Sequence, residues 1–245
     1  MKNTCAIHRS ACSQALLLVV LILIQVGCNP PANQPAPQSE AMPNSPMPNI
    51  TPEKLAAFRW LNQPKSFETA NGILKVTAGK ETDFFNNPED NKVTSTAPVL
   101  FREMTGNFVA TALVKPDFSS LWNATGLMVH IDNNNWIKFG FENSDATGRG
   151  IVSVVTRNLS DDTNGVTLAD QDRIWLKLIR RDNIYSMLWS KDGKDFKMAR
   201  LSTLPAADTV KIGVEFQSPV GDSAVHELRY FEVVETTVKD LRKGE

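Results

Sequence analysis

His130 on one strand and Trp136, Lys138 and Glu142 on the next are the side chains best suited to recognition chemistry in the stretch Gly126–Glu142. Even spacing within a strand places side chains on one face, because successive residues point to opposite sides. An imidazole, an indole, an ammonium and a carboxylate on one surface could stack a pyranose ring and hydrogen-bond its hydroxyls. Sites for small ligands carry few polar groups of this kind, set to converge. Glu215 and Gln217 alternate with Val214 and Phe216 and point away from the apolar side of their strand. Arg157, if it shares that face on the following strand, would pair with Glu142. Trp122, in a Leu-Trp-Asn loop, is a second candidate for an exposed aromatic. The competing interpretation is a solvated outer face laced with weak ion pairs, each contributing about 0–1 kcal/mol.

Other chemistries find less to work with. Asp132, Asn134, Asp161 and Asp162 offer oxygen ligands of the kind Ca²⁺ accepts, without the spacing of an EF-hand loop. Asp and Asn are also habitual turn formers, so Ca²⁺ is the one cofactor considered and none is required. No His or Cys pair has zinc-ligand spacing. Beyond the first thirty residues the chain has His130, His226 and no cysteine, which leaves little for Ser-His or Cys-His catalysis. The nearest carboxylate pair is Glu142 and Asp145, with Asp145 in a turn. Glu142 and Glu215 could meet only across a sheet. No residue is assigned a catalytic role.

The elements that must position these groups are strands. Leu127, Val129 and Ile131 alternate with Met128 and His130. Ile137, Phe139 and Phe141 alternate with Trp136, Lys138, Gly140 and Glu142. The Asp-Asn-Asn-Asn segment between them reads as the turn of a hairpin. Ala70-Asn71-Gly72 carries a second hairpin signal. About twelve short strands are expected, among them Phe108–Val114, Ile151–Arg157, Ile174–Arg180, Ile184–Ser190, Val210–Gln217 and Val225–Val234. Thr51 as N-cap and Pro52 at the first helical position start a helix of at most two turns. No amphipathic helix separates the strands, so the pattern predicts an all-β, two-sheet antiparallel β-sandwich over residues 51–237, with a charged tail at 238–245.

The N-terminus has a different character. Lys2, His8 and Arg9 precede the apolar run Ala15–Ile24, and Gln-Val-Gly-Cys follows. A basic start, a short apolar run and a small residue describe a secretory signal over residues 1–27. The run is shorter than the ~20 apolar residues needed to span a bilayer. Its ending resembles a bacterial lipobox with Cys28 as the lipidated residue, although Gln25 stands where Leu is usual. The chain's three cysteines, Cys5, Cys12 and Cys28, all lie in this region. Stable anchoring would need more than one acyl chain. In Asn29–Asn49, seven of 21 residues are Pro, so residues 28–50 read as a lipidated Cys followed by an extended, disordered tether. The expected location is the cell envelope, on the periplasmic or extracellular side. A formal net charge of −1 gives no reason to expect a nucleic-acid partner. The expected partners are the membrane, through the lipid, and a polysaccharide or an envelope protein.

Several segments carry a family likeness: Thr82-Asp83-Phe84-Phe85, Pro98–Thr111, Gly126–Glu142, Ser153–Arg157, and Trp175–Arg181 with Ser190–Phe196. Together they resemble the regulation-of-enolase-type domain of unknown function, in the concanavalin A-like lectin/glucanase superfamily. The family usually has Trp where Phe85 stands. The resemblance implies a jelly roll whose concave face often holds carbohydrate in relatives, and it implies no established activity. The Glu-x-Asp-x-x-Glu strand of superfamily glucanases is missing from this sequence. The leading expectation is therefore non-catalytic saccharide recognition on the concave face. The alternatives are an interaction module of the envelope or an atypical glycan-active enzyme.

Overall fold

A computed structural model describes residues 48–245. The expected signal, Cys28 and nearly all of the tether lie outside the described residues. The first element among the described residues is a short helix α1, Pro52–Leu55. Sixteen strands follow: β1 Arg59–Leu61, β2 Ser66–Ala70, β3 Ile73–Gly79, β4 Phe84–Asn86, β5 Val93–Ser95, β6 Val99–Thr105, β7 Phe108–Lys115, β8 Ala124–Asp132, β9 Asn135–Ser144, β10 Gly148–Arg157, β11 Leu159–Thr167, β12 Ile174–Arg181, β13 Ile184–Ser190, β14 Lys197–Thr203, β15 Thr209–Gln217 and β16 Ser223–Glu235.

Two seven-stranded antiparallel sheets form a sandwich. The first runs β1-β6-β15-β8-β9-β10-β11 and the second β14-β13-β12-β7-β16-β3-β2, while β4 and β5 pair only with each other. The alternation that suggested the central hairpin also builds the core. Leu127, Val129, Ile137, Phe139 and Phe141 of the first sheet pack with Phe108, Ala110, Ala112, Val114, Leu176 and Leu178 of the second. The opposite parity of β8 and β9 supplies Met128 and Trp136 to a separate apolar cluster on the outer face of the first sheet.

Turn chemistry fixes the registers. Between β2 and β3, Asn71 and Gly72 both have positive φ, +52° and +74°, as a two-residue hairpin turn of this twist requires. Between β8 and β9, Asp132 Oδ1 accepts from the Asn134 amide at 2.8 Å and from Asn135 Nδ2 at 3.0 Å. Thr51 caps α1, its hydroxyl accepting from Lys54 N at 3.3 Å. The helix ends after one turn, earlier than two turns would allow.

Four strands, β1, β4, β5 and β11, were not expected from the sequence. Residues 159–167, which carry Asp161 and Asp162, form strand β11, paired along β10. They show no apolar alternation because β11 lies at the sheet edge and is exposed along most of its length. Arg200 of β14 fastens this edge to the second sheet. Its Nη2 donates to Asp161 Oδ2 at 2.7 Å and its Nη1 to Thr163 Oγ1 at 2.9 Å. The charged tail is docked rather than free. Leu241, 6% exposed, packs with Ile179 and Leu188 on the outer face of the second sheet, and Ser186 Oγ donates to the Leu241 carbonyl at 2.5 Å. Leu241→Ala should therefore cost about 2 kcal/mol in urea unfolding, at the low end for a buried leucine because the tail can settle. A midpoint identical to that of the parent would contradict this docking.

Candidate functional site

Register brings the polar residues of three strands together on the outer face of the first sheet. Across the sheet, Lys138 lies between Met128 and Val154, and Glu142 lies between Ala124 and Gly150. On β15, Glu215 pairs with Gly126 and Gln217 with Ala124. Gly126 and Gly140 face each other across the β8–β9 ladder. A Cβ at Gly126 would meet the Phe139 carbonyl oxygen at 2.2 Å and Gly140 Cα at 2.4 Å. Only glycine at Gly126 permits the strand backbones to approach this closely.

Those side chains form one connected cluster. Lys138 Nζ donates to Gln217 Oε1 at 2.7 Å and to Asp83 Oδ1 at 3.0 Å. Gln217 Nε2 donates to the Trp122 carbonyl at 2.7 Å and lies 3.5 Å from Glu142 Oε2. Glu215 is fully buried, and neither of its carboxyl oxygens has a hydrogen-bond partner. Burial pushes the Glu215 carboxyl up to about 8, against the opposing pull of Lys138. Burial does the same for the half-buried Glu142, also to about 8. Asp162, on the same face of β11, is raised by burial too. Burial alone would lower Lys138, but Asp83, Glu215 and Glu142 together hold it above its ordinary value. Desolvation favours the protonated forms of Glu142 and Glu215, and Lys138 keeps its charge opposite Asp83.

The expectation of an open face is corrected over much of this surface. The β4–β5 hairpin lies across it. Phe84, fully buried, meets Trp136 edge-on at 5.8 Å and His130 at 5.9 Å. Asn86 Nδ2 donates to the Asn158 carbonyl at 2.8 Å and the Asn133 carbonyl at 2.9 Å, and the Asn86 amide donates to Ser160 Oγ at 2.8 Å. Trp136 is consequently sealed, with Nε1 donating to the Asn133 carbonyl at 3.3 Å, and presents no ring face to a sugar. His130 is buried beside it, and burial together with nearby Lys211 lowers its pKa. Lys138, Glu215 and Gln217 lie on the expected face but beneath cover.

Arg157 does not reach Glu142. It pairs in register with Asn135, and its side chain lies near Thr203 of the second sheet. Its odd offset from Thr156, the neighbour of Trp136, puts it on the other face. The Ca²⁺ candidates do not converge either. Asp132 and Asn134 bond each other within their turn, and Asp161 pairs with Arg200 at 2.7 Å. Among the described residues no group of three or more His, Cys, Asp or Glu could hold a metal ion.

Among the candidate aromatics on this face, Trp122 reaches solvent. It is 38% exposed, on a loop with φ +57°. Its backbone amide donates to the Asn143 carbonyl at 2.8 Å, and its indole Nε1 lies 3.3 Å from Asp145 Oδ1. Leu121, 46% exposed, and Val220, 57% exposed, stand on adjoining loops, for a Cβ at Gly221 would meet Ser120 Oγ at 2.8 Å. The residue that sequence reasoning missed is Asp83. Its partner Lys138 is 55 residues away, and no local period marks it.

Comparison with known proteins gives the following likenesses. The family profile described as protein of unknown function (DUF1349) matches residues 60–236. The chain is 28% identical over 160 residues to Regulation of enolase protein 1 of Saccharomyces cerevisiae, covering 65% of this chain and 80% of that protein. The crystal structure of a functionally unknown protein from Saccharomyces cerevisiae superposes with a TM-score of 0.70 at 25% identity, over 75% of this chain and 99% of the other. A xylan beta-1,4-xylosidase from Bacillus halodurans superposes with a TM-score of 0.60 at 14% identity, over 79% of this chain and 41% of the other. That last likeness shows a shared sandwich fold.

Proposed function

We propose, for a chain that belongs to the DUF1349 family of proteins of unknown function, that it recognises a saccharide without transforming it, at the Trp122–Glu142 end of the first sheet's outer face. The observation that carries this reading is the partly exposed Trp122, whose backbone amide is held by Asn143, whose indole lies against Asp145, and whose carbonyl is tied to the same Gln217 that adjoins Glu142. An aromatic surface beside hydroxyl-binding carboxyl and amide groups is the combination a pyranose needs. Glu215 supports a reading without turnover. A glycosidase sets two carboxyls on either side of the bond it breaks, and here the acid nearest Glu142 on β15 is sealed from solvent. Lipidation at Cys28, holding the domain to a membrane outside the cytoplasm, belongs to the same proposal. Mass spectrometry of the mature N-terminus tests it, and an unacylated N-terminus would overturn it.

A glycan-array screen of the purified chain is the direct test of recognition. Trp122→Ala should weaken the strongest saccharide signal about tenfold, since a lost aromatic contact is worth on the order of 1.5 kcal/mol, while the thermal midpoint stays put. Absence of binding to every polysaccharide would sink the proposal. A second reading, docking of an envelope protein, is favoured by the exposed apolar trio Leu121, Trp122 and Val220. It predicts capture of one partner, lost in Trp122→Ala, with no saccharide signal.

A further inference from the structure

His226 of β16 ties together the elements that carry Trp122. Its ring is fully buried. Val76 is its register partner on β3, and the Phe216 ring of β15 lies 6.2 Å away; neither bears a charge. Nδ1 accepts from the backbone amide of Asp117 at 3.3 Å, and Nε2 lies 3.1 Å from the Gln217 carbonyl oxygen. An amide N–H only donates and a carbonyl only accepts, so these partners require a neutral ring with its proton on Nε2.

Both partners belong to the Trp122 site. Asp117 stands at the start of the loop from β7 to β8, residues 116–123. At the other end of that loop, Gln217 Nε2 donates to the Trp122 carbonyl at 2.7 Å. Among the described residues, Asp117 is the charged group that faces the ring. Its carboxylate is already engaged, Oδ1 by the Ser119 amide at 2.9 Å and Oδ2 by the Val225 amide at 3.2 Å.

A second proton on this ring would go to Nδ1 and set an N–H against the Asp117 N–H. It would also leave a cation in the core, a large cost unless water reaches it. Burial accordingly pushes His226 down to about 4, with Asp117 opposing. The contact to Gln217 survives protonation, because Nε2 still donates; the contact to the loop does not. Lifting the loop relieves the clash and admits water to the ring. We propose that His226 is an acid-sensitive latch on the β7–β8 loop, and that its protonation frees residues 117–122 and dismantles the Trp122 surface. The bearing of this latch on saccharide recognition rests on the reading of Trp122 given above. An unfolded histidine titrates near 6.5, so the folded state binds fewer protons between about 4 and that value, and stability falls as pH drops through the window. Release of the loop must therefore be read separately from global unfolding.

Amide hydrogen exchange of the full chain, followed by NMR from pH 7 down to pH 3 without saccharide, makes that separation. Protection, corrected for the intrinsic exchange rate, should be lost at Asp117 and Trp122 with a midpoint near pH 4. Phe139 and Leu176, in central strands, should keep theirs. Imidazole nitrogen shifts should show the Nε2–H tautomer at pH 7 and protonation with the same midpoint. His226→Gln should remove the transition, since the amide gains no proton. Because that change lies in the core and can unfold the chain, Asp117→Asn carries the test independently: without the facing carboxylate the midpoint should move to lower pH. Three results would overturn the latch: an Nδ1–H tautomer at pH 7, Trp122 protection that is kept through the midpoint or lost together with Phe139 and Leu176, or a midpoint unmoved in Asp117→Asn. With no saccharide present, failure here leaves recognition at Trp122 standing, and an empty glycan array leaves the latch standing.

Discussion

Lys138→Met should destabilise the fold by about 3–5 kcal/mol at pH 8, the range for breaking a buried ion pair from one side. It removes the ammonium that Asp83, Glu142 and Glu215 share. The cost should shrink toward pH 5. Glu142 and Glu215 titrate near 8 in the folded protein and near 4.3 when unfolded. The folded state therefore holds extra protons between those values, and stability falls as pH rises across that window. At pH 5 the two glutamates are neutral in the folded state of both variants, and the missing ammonium is felt mainly through Asp83. Glu215→Gln provides the complementary control. It should lie within about 1 kcal/mol of the parent at pH 5 and exceed it at pH 9, because the amide has no proton to lose. Urea unfolding at pH 5, 8 and 9 reads all three chains. A Lys138→Met deficit that does not change with pH would show that the acids are not coupled to this lysine.

Phe84→Ala is the second large effect. Truncating a fully buried phenylalanine costs about 3–5 kcal/mol, and here the lost ring is the one that seats the β4–β5 hairpin on Trp136 and His130. Because β4 and β5 pair with each other and not with either large sheet, the sandwich should persist while the hairpin loosens. The expected signature is a lowered unfolding midpoint together with a red-shifted, more quenchable indole emission that disappears when Trp136 is replaced by Phe. Unchanged emission would mean that Asn86 and the Lys138–Asp83 pair hold the hairpin without help from the ring.

The sandwich was legible because its strands are half-buried: Leu127, Val129, Ile137, Phe139 and Phe141 announce the core by alternation alone. Strand β11 was not, because an edge strand exposed on both sides has no apolar side to display, and Asp161-Asp162 reads equally as a turn. Alternation also sorted Trp136, Lys138 and Glu142 away from the core. It could not reveal the lid over them. A side chain's parity says which way it points and nothing about what later packs on top. The anchors of the β4–β5 hairpin, Phe84 and Asn86, both sit in β4, and each of its two strands has three residues, too short for any period to appear.

The polar character of β11 also bears on how copies of the protein behave toward one another. An exposed sheet margin offers unpaired amides and carbonyls to any passing extended chain. This one presents Asp161, Asp162, Thr163 and Asn164 along its length, and Arg200 occupies part of the margin from the second sheet. Negative charge repels an identical margin, and a bound guanidinium obstructs in-register addition. At this edge of the first sheet, edge-to-edge addition of a second copy is therefore disfavoured.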